Sequence, residues 1–107
     1  MGEILVQRDE RGRILGFAAR DLGTAKLAGE VGRMFEAAVS VLTEYLHVHA
    51  ECSLTEEMAL VVDREGPHLD RELDAVFETL VTGFRLLERD YGGKVAVHEG
   101  SIGVGVR

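Results

Sequence analysis

The 107-residue chain has one cysteine, one proline, no tryptophan and only 6% aromatic residues. A lone cysteine excludes an intrachain disulfide framework, and with it the small secreted scaffolds that depend on one. No apolar run approaches the length of a membrane-spanning helix, and Met1 to Arg8 lacks the apolar stretch of a signal peptide. The expected setting is therefore cytoplasmic, with no membrane partner. Basic residues are also scarce: twelve Lys and Arg stand against nineteen Asp and Glu, a formal charge of −7. Those cations are scattered, which disfavours a phosphate-binding patch and nucleic acid as a partner. What remains is ordinary globular material, 46% hydrophobic and 29% charged. It suffices for one core and not for two, so residues 1–107 are expected to form a single domain.

Ile4 to Arg8 and Ile14 to Ala19 are short segments rich in β-branched and aromatic residues, and the polar run Asp9 to Arg13 between them reads as a hairpin turn. From Leu27 the apolar residues Val31, Met34, Phe35, Ala38, Val41, Leu42, Tyr45 and Leu46 recur at three- and four-residue intervals, predicting a helix to about His49. Cys52 to Thr55 and Met58 to Asp63 are extended candidates, the second with apolar residues on both faces, as in a central strand. Gly66 and Pro67 break the pattern. A second helix follows, with Asp70 as its expected N-cap, an apolar stripe from Leu69 to Tyr91, and Gly92 and Gly93 as its stop. Lys94 to His98 and Ser101 to Val106 read as a closing hairpin around Glu99 and Gly100. The order β-β-α-β-β-α-β-β implies a two-layer α+β domain: a mainly antiparallel sheet with both long helices on one face. The other sheet face, with its Val and Leu residues, makes a homodimer a reasonable expectation.

Several segments then become specific. Gly12-Arg13-Ile14-Leu15-Gly16-Phe17, Gly23 shortly after it, Ala37-Ala38-Val39-Ser40 in the first helix, Leu80 to Gly83 in the second, and Glu88-Arg89-Asp90-Tyr91 at its close stand in a characteristic order and spacing. In these the chain resembles the Prp family, the bacterial cysteine proteases that remove an N-terminal extension from a large-subunit ribosomal protein. The resemblance runs from about Ile4 to His98. It implies a cysteine nucleophile immediately before the Ala-Ala-Val-Ser run and a histidine immediately after the glycine. Those positions hold Glu36 and Thr24, and an acidic position shortly before the cysteine falls on Arg33.

Cysteine proteolysis needs a thiolate and an imidazole that returns its proton to the leaving amine. A carboxylate is too weak a nucleophile toward an amide, and Thr24 has no base in evidence to activate it. The expectation is a catalytically silent homodimer with a peptide-binding groove near Gly23, Arg33 and Glu36, and a ribosomal-protein segment as its partner. The alternatives are an altered peptidase with Glu36 as general base for water, and a purely structural dimerisation module. The resemblance further takes Arg20 to Arg33 for a mobile loop over the active site. Leu27 and Val31, however, keep the period of the following helix, which could start at Thr24 as N-cap and so fill the groove.

The remaining chemistry-bearing residues have bland readings. Cys52 shares strand parity with Leu54 and reads as a buried small hydrophobe, beyond the far end of the first helix and about 24 Å from Glu36. His47, His49, Glu51 and Cys52 lack a second ligand pair at metal-site spacing, so no metal is expected. His68 and His98 read as surface residues. Gly23, Gly29 and Gly32 are followed by no Lys-Ser or Lys-Thr pair, so no nucleotide cofactor is expected. Ile102 to Val106 would form an edge strand with all its side chains on one face.

Overall fold

The computed structural model describes residues 1–64 and 67–101. These form strands β1 (Gly2–Arg8), β2 (Ile14–Arg20), β3 (Ala50–Leu54), β4 (Met58–Val62) and β5 (Val95–Ser101), with helices α1 (Ala25–Ser40) and α2 (Asp70–Asp90). The strands make one sheet in the order β3-β4-β2-β1-β5. Its neighbours are antiparallel except β1 and β5, which run parallel because most of the chain intervenes between them.

The β1–β2 turn is built by Asp9, whose carboxylate accepts the backbone N–H groups of Arg11 and Arg13 at 2.9 Å each. Gly12 takes the left-handed conformation the reversal needs, with φ +83°. A bulge between Gln7 and Arg8 then lets Arg8 reach the helix layer, where it pairs with Glu78 of α2 at 2.9 Å and with Glu99 of β5 at 2.8 Å.

Both helices lie on one face of the sheet, and the aromatic rings show it most directly. Phe17 of β2 stands 6.2 Å from the ring of Phe35 in α1, and 5.8 Å and 5.7 Å from those of Phe77 and Phe84 in α2. All four phenylalanines are at most 1% exposed. Ile4, Val6, Leu60, Val62, Val95 and Val97 pack beneath them from the strands. On the opposite face the registers Leu5↔Ala18 and Ala18↔Ala59 line up small and half-buried residues, and Val61 stays 48% exposed.

Several expected details differ. The turn expected at Glu99 and Gly100 is strand: they pair with Val6 and Gln7, and Glu99 is held in place by Arg8 and Arg85. Of the expected final strand, Ser101 to Val106, Ser101 is the last residue of β5 and residues 102–106 lie outside the described residues. The cap of α2 is Leu69, at φ +58°, and not Asp70. The Asp70 carboxylate is taken up instead by Arg64 at 2.8 Å and Arg13 at 3.3 Å. Arg64 has a fully buried side chain that also binds Asp74 and the Ile14 carbonyl and stands 6.0 Å over the Phe77 ring. The first helix stops short of His49. It widens into a π turn over Val41–Tyr45, where the Leu46 N–H reaches back five residues to the Val41 carbonyl, and ends at a left-handed His47.

Candidate functional site

The residues that the sequence singles out are distributed along α1. The chain enters this helix through a sharp corner: Asp21 and Gly23 both have positive φ, and Leu22 between them is buried. Thr24 caps the helix, its hydroxyl accepting the Leu27 N–H at 3.2 Å. The alternative in which the helix starts at Thr24 is therefore the one the chain adopts, and the stretch from Thr24 to Arg33 is helical.

The energetics explain why. Gly29 and Gly32 each cost a helix about 1 kcal/mol relative to alanine. Against this, Leu27 and Val31 are at most 1% exposed, and burying such side chains contributes roughly 1.5–3 kcal/mol each. Burial outweighs propensity, and the space where a mobile loop would lie is occupied by packed helix.

This placement decides the geometry of the site. Twelve residues of helix separate Thr24 from Glu36, about 18 Å at 1.5 Å per residue. Arg33 and Glu36 lie one turn apart on the exposed surface of α1, whereas Gly23 is beyond its N-terminal end. The three residues of the expected peptide groove are thus one neighbouring pair and one distant member. Glu36 is also not at a helix start. It sits about three turns in, where the helix dipole contributes little.

Cys52 requires the largest correction. It is exposed, and the distance argument that kept it away from Glu36 fails because the chain doubles back. After His47, β3 runs antiparallel along α1, so its far turn, Thr55 to Glu57, comes to lie beside Asp21 to Ala25 at the helix start. Cys52 then lies alongside the middle of α1. Partial burial raises the pKa of its thiol, and the negative charge of Glu36 raises it further. Both effects oppose the thiolate, so the one sulfur near Glu36 is a poor nucleophile. His49, also exposed, lies 3.7 Å from the Glu51 carboxylate, and His68 and His98 are on the surface as expected. Among the described residues no group of three His, Cys, Asp or Glu side chains could hold a metal ion.

Among the described residues, two of the concavities beside α1 bear on the site. One, of about 440 Å³, lies at its start and is lined by Asp21, Gly23, Thr24, Glu56 and Glu57. The other, of about 530 Å³, is an apolar trough between the helices lined by Met34, Ala37, Val41, Val76, Thr79 and Gly83. Neither was evident in the sequence. The only local signals were the Glu56-Glu57 pair in a tight turn and apolar residues on α1 that spread wider than one buried stripe.

A two-layer domain of this topology, with its helices on one face of a mixed five-stranded sheet, has the Prp fold. No protein-family model matches the chain, and no characterised relative does. Solved structures match it closely in shape. The essential ribosomal-processing protease Prp from S. aureus, in complex with a substrate peptide, superposes with a TM-score of 0.76 at 6% identity, covering 94% of this chain and 100% of that one. SMU.848 from Streptococcus mutans gives 0.75 at 14% identity, over 94% and 95% of the two chains. A hypothetical protein from Staphylococcus aureus gives 0.71 at 10% identity, over 94% and 100%. At such identities the likeness establishes the fold. Among the described residues, no helix is long and apolar enough to cross a membrane.

Proposed function

We propose that this protein is a non-proteolytic member of the Prp fold, a homodimeric module that holds a peptide without cleaving it. The observation that carries this reading is the state of the chemical positions. Thr24 is spent on capping α1, Glu36 stands about 18 Å away along the same helix, and the nearest thiol is disfavoured as a thiolate. No nucleophile and base face each other there, and an acyl-transfer mechanism requires both.

The S. aureus Prp structure holds a substrate peptide, which supports a peptide as the partner class. In this chain the concavity beside Gly23 and Thr24 carries the carboxylates of Asp21, Glu56 and Glu57. Its charge suits a basic segment, such as the N-terminus of a ribosomal protein. Gly23 belongs to that depression, whereas Arg33 and Glu36 lie too far along α1 to share a compact site with it.

The test is incubation of the purified chain with a fluorescent basic peptide spanning the Prp cleavage sequence. Binding measured by anisotropy, with the peptide intact by mass spectrometry, is the expected result. Cleavage that disappears in Glu36→Gln establishes the altered peptidase instead. If no binding occurs at high peptide concentration, the second reading stands: a dimerisation module without a ligand. That reading is favoured by one observation, the burial of Leu27 and Val31 where an open groove would have been.

A further inference from the structure

The first two turns of α1 are held less firmly than the rest of the helix. Beyond Gly32, α1 is anchored by Phe35, whose ring packs against those of Phe17 and Phe84. Before it, Ala25, Lys26 and Gly29 are exposed, and only Leu27 and Val31 are buried. This stretch contains Gly29 and Gly32, each of which weakens a helix. The chain enters it through the corner at Asp21 and Gly23, with φ +56° and +85°. Concavities flank that corner on two sides. Besides the acidic one at Glu56 and Glu57, a second of about 390 Å³ is lined by Leu27, Tyr91, Gly93 and Lys94. Asp21, Leu22, Gly23 and Thr24 line both, so the corner is the partition between them.

We propose that Tyr91 latches this partition: its hydroxyl, donated to the Glu30 carboxylate, holds residues 25–32 against the end of α2. Loss of that bond lets the stretch open as a unit and joins the two concavities into one groove. Among the described residues, the Tyr91–Glu30 hydrogen bond is the side-chain bond that ties this stretch to another element. The cap made by Thr24 satisfies the Leu27 N–H within the stretch itself and fastens it to nothing else. Tyr91 is a firm anchor, because it is the C-cap of α2 and its own N–H reaches the Leu87 carbonyl at 2.9 Å.

Opening exposes Leu27 and Val31, so the closed form is the major one. Local units of this kind, with few buried side chains and exposed backbone, open independently of the core beside them. A peptide lying across the joined groove touches only the open form and draws the equilibrium toward it by that difference in affinity. This gating rests on the peptide reading above, whereas the latch does not.

Two measurements on the full chain test this. Hydrogen exchange reads the latch residue by residue. Tyr91→Phe keeps the ring and loses the hydroxyl, and the amides of residues 28–32 should then exchange about tenfold faster, the equivalent of one hydrogen bond to a charged group. Those of Phe35, Ala38 and Phe77 should not change. Glu30→Gln keeps an acceptor for the hydroxyl and should stay close to wild type, and Gly29→Ala should slow the same amides. Acceleration spread evenly over both helices, or none, overturns the latch. Anisotropy with the fluorescent basic peptide reads the gating: Tyr91→Phe should bind it more tightly, by up to the factor gained in open form, and Gly29→Ala more weakly. Equal binding by the three proteins, or the reverse order, overturns the gating. If none binds the peptide, the gating falls together with the peptide reading, and the exchange pattern still decides the latch.

Discussion

Glu36 of α1 and Cys52 of β3, sixteen positions apart in the chain, lie within electrostatic reach of one another, and the carboxylate pushes the thiol pKa up. The contact exists because β3 turns back along the helix that precedes it. The chain's one cysteine thus lies beside the position at which the resemblance expects a thiol. There it meets the wrong charge. A histidine would favour the thiolate, whereas Glu36 disfavours it.

Thiol reactivity should report this relationship. Burial and Glu36 both raise the Cys52 pKa, so the rate of modification by a disulfide reagent should rise with pH along a curve displaced to higher pH than that of a free thiol. Glu36→Gln removes the charge and keeps the shape, and should move the curve back toward lower pH. An unchanged curve in that variant would show that burial alone sets the thiol.

The helical state of the segment from Thr24 to Arg33 gives a stability prediction of unusual sign. Gly29 is exposed within α1, and an added Cβ there meets nothing within 4 Å. Gly29→Ala should therefore stabilise the protein by up to about 1 kcal/mol. For a domain of this size that is a rise in Tm of roughly 4–8 °C. Gly23→Ala should do the opposite, because Gly23 sits at φ +85°, where a side chain costs roughly 1–2 kcal/mol. If both substitutions were neutral in thermal denaturation, the segment would not be a capped helix in solution.

Much of the fold was legible because period and punctuation agreed. The 3.6-residue stripe from Leu27 to Leu42 and the one from Leu73 to Leu87 are the buried faces of α1 and α2, and Asp9 with Gly12 announced the first hairpin. What was not legible depended on tertiary return. Glu99-Gly100 looks like a turn until parallel pairing with β1 and the two arginines on Glu99 hold it extended. Asp70 looks like an N-cap until Arg64 and Arg13 claim its carboxylate. At the site, Thr24 and Glu36 were visible as the two positions that the resemblance singles out. Their separation along one helix was not, because the cost of Gly29 and Gly32 could only be weighed once Leu27 and Val31 were seen to be buried.

Phe17 should be the most costly single truncation in the sheet. Its ring contacts Phe35, Phe77 and Phe84 at once, joining the strand layer to both helices. Phe17→Ala should destabilise the domain by about 3–5 kcal/mol, a large share of the stability of a domain this small. Urea denaturation measures it. A loss under about 1.5 kcal/mol, the range of a volume-conserving swap, would mean that the rings repack around the gap.

Acid sensitivity follows from the carboxylates that fasten the helices to the sheet. Arg85 first, and then Arg8, hold the Glu99 pKa below its ordinary value, and Arg64 does the same for Asp70 ahead of Arg13. A carboxylate whose pKa is lower folded than unfolded contributes stability that is fully present above the unfolded value, near 4. That contribution is lost as pH falls through the folded value. Stability should therefore be flat with respect to these groups at neutral pH and decline below about pH 4. Glu99→Gln cannot be protonated, so its unfolding free energy should fall less steeply across the acid limb than that of the wild type. The Gln variant should also start lower at neutral pH, having lost the charged contacts to Arg8 and Arg85. Unfolding curves at a series of pH values that stay parallel between the two proteins would show that Glu99 is not ion-paired in solution, and that β5 is held by its hydrogen bonds to β1 alone.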